Sequence, residues 1–257
     1  MKVLFVGDIV GSPGREIFAD LVSGMKKKKE IDFVVANAEN VAGGKGITLQ
    51  TAEELLKSGA DVLTLGDHTW DRKEAENLLE NSSKIIRPLN FTPGCPGRGY
   101  VTVESAFGEI TVVNLVGRVF MNAYDCPFRA MDTLLSENSN LGKIILVDIH
   151  AEATSEKIAM GRYLDGRVSA VVGTHTHVQT SDETVLSGGT AYLTDLGMTG
   201  PSDSVIGRDL ESVITIFLTG MPERYKIGQG RVVMEGAIVD ISEETGKAKS
   251  VKRIRLE

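Results

Sequence analysis

The sequence predicts an α/β fold: one domain over residues 1–257, with two sheets flanked by helices. Three features predict it. Short apolar runs alternate with helical patterns through the first 90 residues, the signature of βαβ units and a parallel sheet. The remainder turns mostly to β. Throughout, strand-like runs stop at His, Asp or Glu, which is how an α/β sheet aims ligands into a crevice at its carboxyl edge.

Residues 2–6 read as a strand, followed by a helix over 13–27 with Pro-Gly-Arg at its start. A strand over 33–36, a helix over 51–58, a strand over 61–65 and a helix over 73–80 continue the alternation. Residues 99–105 and 109–115, joined by Ala-Phe-Gly, look like a hairpin. A short helix over 128–136 comes next, then buried strands over 143–149 and 168–172 with a helix over 154–164 between them. Strands over 183–186, 190–194, 232–241 and 248–256 close the chain, interrupted by a helix over 208–218. No repeat, low-complexity tract or Pro/Ser linker divides it.

Composition narrows the class. Hydrophobic residues at 42% and charged residues at 25% are ordinary for a globular protein. No apolar run approaches the ~18 residues that span a bilayer, so no membrane partner is expected. The N-terminus, M-K-V-L-F-V-G-D, is too short and too quickly acidic for a signal peptide, which makes a cytoplasmic location the expectation. Cys95 and Cys126 are far apart and belong to no Cys-x-x-Cys pair, so free thiols are expected. The 28 basic and 35 acidic residues leave a net charge of -7, which argues against an extended duplex nucleic-acid surface. The basic cluster Lys26 to Lys29 ends a helix, where cations suit the dipole. An acidic chain can still hold a small anion through metal ions. Only the β-rich C-terminal region, if exposed, hints at a homo-oligomer.

The sharpest signal is a set of six residues beside apolar runs: Asp8, Glu39, Asp67, His150, His175 and His177. Carboxylates and imidazoles without thiolates suit iron, manganese or zinc at a hydrolytic centre better than a structural zinc. His175 and His177 are two apart, and in an extended loop that spacing points both rings to one side. They could then serve two ions ~3.5–4 Å apart, a pair that activates water and clamps a phosphoryl group. Glu39 is the best candidate to bridge them. Each residue also has a plainer reading. Asp8 could cap the following helix, Glu39 could be a turn residue, and His150 could be a satisfied structural histidine. The H-T-H pair has little packing rationale. His68, next to Asp67 and without an ion of its own, suits a proton donor to a leaving alkoxide, because imidazoles titrate near neutrality; the alternative is a hydrogen-bonded loop histidine. S-P-G-R at a helix start could bind phosphate or be ordinary capping. Arg118, after another strand, could steer a phosphate or base.

Several stretches carry a family resemblance: G-D-I-V-G-S-P-G-R (7–15), N-A-E-N (37–40), G-D-H-T-W-D (66–71), H-A-E-A-T-S-E-K (150–157), V-G-T-H-T-H-V-Q-T (172–180) and D-L-G-M-T-G-P (195–201). The chain resembles the YmdB-like branch of the calcineurin-type metallophosphoesterases over nearly its whole length. The resemblance implies a four-layer α/β/β/α sandwich and two metal ions, iron (Fe2+/Fe3+) or Mn2+. It also implies phosphodiesterase activity on 2′,3′-cyclic nucleotides, with a small nucleotide or an RNA-end phosphodiester as substrate. By position, Asp8, Glu39 and His177 would hold one metal. Glu39, residue 67, His150 and His175 would hold the second, with Glu39 bridging, His68 donating the proton and Asn40 at the edge of the substrate site.

One residue departs from that pattern. The family block reads G-N-H-T-W-D, whereas residue 67 here is Asp. Three carboxylates around two divalent ions leave one positive charge fewer than an Asn at 67 would. Asp67 is therefore expected to tighten the second metal, or favour a trivalent ion, while weakening attraction for a phosphate anion. Two further functions stay open: a nucleotide- or RNA-responsive regulator with a weakened centre, and a phosphomonoesterase.

Overall fold

The computed structural model describes residues 1–257. Its first third runs β1 (Lys2–Val6), β2 (Asp8–Ile9), α1 (Gly11–Lys27), β3 (Phe33–Asn37), α2 (Leu49–Lys57), β4 (Val62–Thr64), α3 (Ala75–Asn81) and β5 (Ile85–Ile86). The middle contains β6 (Tyr100–Ser105), β7 (Gly108–Val116), α4 (Pro127–Glu137), β8 (Ile144–His150), α5 (Thr154–Tyr163) and β9 (Ala170–Thr174). The end contains β10 (Thr184–Val185), β11 (Ala191–Leu193), β12 (Met198–Pro201), α6 (Leu210–Thr219), β13 (Val232–Ile241) and β14 (Ala248–Leu256).

These strands make two mixed sheets. One has the order β2-β12-β13-β1-β3-β4-β5, with β14 also paired to β13; the other has the order β10-β11-β9-β8-β7-β6. The expected βαβ alternation produces the parallel run β1, β3, β4, β5, with Val3 opposite Phe33 and Asn37 opposite Thr64. The expected hairpin is the antiparallel pair β6–β7. The second sheet has its own parallel run, β7, β8, β9, β11, which places His150 opposite Thr174.

Both faces of the central strands are covered, and alternation shows how. Successive side chains of a strand point to opposite faces. In β1, Val3 and Phe5 join an apolar cluster fed by both sheets, while Leu4 and Val6 join a second cluster with Phe18 and Val22 of α1 and Leu55 of α2. In β8, Leu146 belongs to the cluster shared by the sheets, whereas Ile145, Val147 and Ile149 pack with Met131 and Leu134 of α4 and Met160 of α5. Asp148 and His150 share the parity of Leu146, so they stand on the side of β8 that faces the other sheet.

The structure adds three strands that the sequence pattern did not show: β2, β5 and β12, of two to four residues each. Helix α1 starts at Gly11, two residues before the expected Pro13. No helix is long and apolar enough to cross a membrane. Cys95 and Cys126 are free and half-buried.

The site follows from this topology. Glu39 and Asp67 lie just past the carboxyl ends of β3 and β4, and Asp8 lies two residues past the end of β1. His150 ends β8, and His175 is the first residue after β9. The carboxyl edges of the two parallel runs therefore bring five of the six expected ligands together, and His177 follows two residues on.

Candidate metal centre

His150 is the fully buried hub of the cluster. Its Nε2 lies 2.9 Å from Glu39 Oε1, 3.1 Å from Asp67 Oδ1 and 2.9 Å from His175 Nδ1. One nitrogen has at most one hydrogen to offer three neighbours. One ligand atom from each of Glu39, Asp67, His150 and His175 falls within 4.8 Å of the others. These are the four residues expected to share the second ion.

The other expected ligands stand beside them. Asp8 is fully buried, and its Oδ2 accepts the His175 backbone N–H at 3.0 Å. Its Oδ1 is buried without any partner, 3.7 Å from His177 Nε2 and 3.8 Å from His150 Nδ1. A buried carboxylate oxygen with no donor is costly unless something positive occupies its lone pairs. His177 Nδ1 lies 2.9 Å from the Ile206 carbonyl, which can only accept. The hydrogen therefore sits on Nδ1, and the Nε2 lone pair is left on the side of Asp8. Asn40 Nδ2 lies 3.3 Å from Glu39 Oε1 and 3.2 Å from His177 Nε2. The donor set fits a pair of divalent or trivalent cations: nitrogen and oxygen only, and no thiolate.

A similar connection fixes His150. Its Nδ1 lies 2.9 Å from Thr174 Oγ1, and that hydroxyl donates to Asp148 Oδ1 at 2.7 Å. With its own hydrogen committed, Thr174 accepts from Nδ1–H, which frees Nε2 for the cluster. Asp148 also accepts from Thr64 Oγ1 at 2.5 Å. Burial pushes its carboxyl up to about 6, against the opposing pull of these hydroxyls and of His150.

The H-T-H loop is not extended, which corrects the expected geometry. His175 has φ +101° and His177 φ +62°, a region that L residues rarely enter. The rings diverge: His175 turns to His150, with ring centroids 4.7 Å apart, and His177 turns to Asp8. The loop is tied down by a fully buried ion pair, Lys157 Nζ to Asp195 Oδ2 at 2.6 Å. Asp195 Oδ2 also accepts from Thr176 N and Oγ1, and Lys157 donates to the Thr174 carbonyl at 3.1 Å. Gly66 meets a steric demand, because a Cβ there would collide with His150 and Glu39.

Electrostatics match the geometry. Burial raises Asp8, and the attraction of His177 and His150 does not offset it. Burial also works to raise Glu39 and Asp67, but His150 overrides it at Glu39, and hydrogen bonds from His150 and His175 override it at Asp67, so both fall. Burial works to lower His150, yet Glu39 and Asp67 drive it well above an ordinary histidine. The carboxylates thus call for positive charge at the hub, which a cation could supply in place of a proton.

His68 lines a polar cavity of about 360 Å3 together with Glu39, Asn40, His175 and His177. Its Nδ1 lies 3.2 Å from Asp71 Oδ2, and its backbone N–H donates to Glu39 Oε2 at 3.0 Å. Larger cavities of about 780, 540 and 370 Å3 contain none of these residues, and one of about 560 Å3 shares only His177. Asp8 does not cap α1, whose N-cap is Val10. The S-P-G-R segment and Arg118 do not line the cavity; the Arg118 backbone N–H is held by the Glu156 carboxylate. Thr174, Asp148, Lys157 and Asp195 were given no role from the sequence. Lys157 and Asp195 lie inside motif stretches, but a pairing across 38 residues leaves no local pattern.

The chain has relatives along its whole length. The family model described as "YmdB-like protein" matches residues 4–254. A Bacillus subtilis (strain 168) protein named 2′,3′-cyclic-nucleotide 2′-phosphodiesterase is 46% identical over 254 residues, covering 99% of this chain and 96% of that one. Among solved structures, a hypothetical protein from Thermus thermophilus is 42% identical with TM-score 0.94, covering 100% of this chain and 99% of its own. A structure described as a novel phosphatase from Mycoplasma pneumoniae is 33% identical with TM-score 0.93, covering 100% of this chain and 93% of its own. A family match of this extent, together with a relative this similar along both lengths, places the chain in the YmdB-like protein family.

Proposed function

We propose that this protein is a metal-dependent phosphodiesterase that hydrolyses 2′,3′-cyclic nucleotides at a dinuclear centre. The single observation that carries the reading is the crowding of Glu39, Asp67 and His175 around His150 Nε2, beside an unpartnered buried Asp8 Oδ1. The name of the Bacillus subtilis relative supplies the substrate class. Residues 1–257 would form one domain, a four-layer α/β/β/α sandwich. Its support is the three apolar clusters, one fed by both sheets and one under the helices of each. Asp8, Glu39 and His177 would hold one ion; Glu39, Asp67, His150 and His175 the other. Iron or manganese suits this nitrogen and oxygen set. When bound, such ions supply Lewis acidity toward a phosphoryl group and an activated water.

The chain's own residues do the rest. Asn40 holds Glu39 and His177 in register with one amide. Asp71 fixes His68 through Nδ1, which leaves Nε2 to carry the proton that the departing ribose oxygen needs. The walls of the cavity hold the ribose near that proton.

The test compares a nucleoside 2′,3′-cyclic phosphate with a nitrophenyl phosphate monoester, using manganese- or iron-loaded protein. Diester turnover should dominate and vanish in His150→Ala. His68→Asn should lose about 10²–10⁴-fold on the cyclic nucleotide, the span of general acid catalysis, and much less on bis(p-nitrophenyl) phosphate, whose leaving group needs no proton. Monoester preference would remove the diesterase reading. Tight nucleotide binding without turnover would favour a regulator.

A further inference from the structure

The cavity holds two cations besides the ligand cluster, and neither is in an ion pair with the carboxylates Glu39 and Glu152 that also line it. Arg208 and Lys45 line it with His68 and the H-T-H pair. Neither takes part in the protein's lysine and arginine ion pairs. Arg208 Nε is buried with no acceptor. The residue as a whole is half-buried, and this N–H, out of water and unpaired, is one that an incoming anion would satisfy.

The side chain is nevertheless held in place. The Arg208 guanidinium lies 4.7 Å over the Tyr225 ring. Tyr225 in turn abuts Gly44, where φ is +91° and a Cβ would run into the ring. Gly44 donates its N–H to the Asn40 carbonyl, so this shelf belongs to the same loop as the ligand Glu39. The Arg208 backbone is bridged to Val205 and to Ile227, and Asp209 N–H bonds the Lys226 carbonyl, which closes the segment around the arginine. With Tyr225 occupied by Gly44 and Arg208, the ring is a support for the guanidinium rather than a platform for a base. A guanidinium braced on an aromatic ring presents its N–H edge as a fork that suits phosphate oxygens.

We infer that Arg208, braced on Tyr225 and joined at the rim by Lys45, is a second anion subsite. It takes the 5′-phosphate of the nucleotide whose 2′,3′-cyclic phosphate reacts at the ligand cluster. This rests on the diesterase reading above and deepens it: the favoured substrate is phosphorylated at both ends of one ribose. That 5′-phosphate can be the monoester of a free nucleotide or the diester link to the rest of an RNA.

The experiment measures kcat/KM for adenosine 2′,3′-cyclic phosphate, for its 5′-phosphorylated form and for the dinucleotide ApA ending in a 2′,3′-cyclic phosphate. It uses manganese-loaded wild type, Arg208→Gln and Arg208→Lys, with metal content checked in each. Wild type should prefer a 5′-phosphate by about tenfold or more, mostly through KM, as a hydrogen bond between charged groups would give. Arg208→Gln should erase the preference and Arg208→Lys should keep part of it. A preference for the dinucleotide as well as the monoester points to RNA 3′ ends; a preference for the monoester alone points to free nucleotides. Equal kcat/KM for all three compounds in wild type overturns the inference and leaves the diesterase standing. A loss in Arg208→Gln that is the same for every substrate also overturns it, since Arg208 would then serve the reacting phosphate. If wild type turns over nothing, the diesterase reading fails, and calorimetric Kd values for the same compounds decide the subsite alone. A 5′-phosphate advantage in Kd that Arg208→Gln removes keeps the subsite, and equal Kd values reject it.

Discussion

Single residues decide which lone pairs face the centre. The Asp148–Thr174–His150 series commits each hydrogen in turn, so His150 must offer Nε2 to Glu39, Asp67 and His175. Replacing Thr174 with Val keeps the volume and β-branching of a buried strand residue but removes the acceptor for Nδ1–H. Thr174→Val should then lower metal affinity about 10–100-fold, the usual effect of losing a partner that orients a ligand, with the fold intact. Metal titration monitored beside circular dichroism checks it; unchanged affinity would mean that packing alone holds the ring. The six ligand candidates were legible because each is a polar residue at or just beyond an apolar run. Thr174 was not, because a threonine beside V-V-G in a strand needs no explanation beyond β propensity.

At the scale of elements, α5 acts on the centre without touching it. Its Lys157 crosses to Asp195, and together they hold the left-handed turn that spreads His175 and His177. Breaking a buried pair by deleting one member leaves an uncompensated charge, which costs about 3–5 kcal/mol. Lys157→Met should lose about that much in urea unfolding, and adding Asp195→Asn should restore most of it; a loss under about 1 kcal/mol would mean that water reaches Asp195. The helix itself was legible over 154–164, close to the observed Thr154–Tyr163. So were the long strands, with β13 and β14 matching 232–241 and 248–256 at both ends. Strands β2, β5 and β12 were not. Two to four residues give no measurable alternation, and β12 is M-T-G-P, a composition that reads as a turn.

At the scale of the molecule, the centre is a seam. Asp8, Glu39 and Asp67 come from one sheet and His150 and His175 from the other, so an ion bound there would pull on both sheets at once. The donors and the two-sheet architecture were legible, but not the membership of each sheet: β13 reaches β1 within one sheet across more than two hundred residues, and no local pattern records that pairing. A cation bound only by the native arrangement stabilises it by about 2.7 kcal/mol at one hundred times its Kd. At roughly 2–4 °C per kcal/mol for a chain near this size, stripping with EDTA should lower Tm by about 5–10 °C for each ion lost. The pH dependence then separates a site at His150 from binding elsewhere. In metal-free protein the His150 pKa lies well above its ordinary 6.5, because Glu39 and Asp67 override the burial that would lower it. A group raised in the folded state contributes stability that is complete below the unfolded pKa and is lost as pH rises through the folded one. The stripped protein should therefore weaken as pH rises above about 6.5, the unfolded value, toward and through the raised folded one. The loaded protein moves the other way, since the ion must displace the His150 proton and binds more tightly as that proton becomes easier to remove. Hence the Tm gap between loaded and stripped samples should widen steadily across that range. A gap that stays constant would mean that the stabilising ion never meets the Nε2 at the hub.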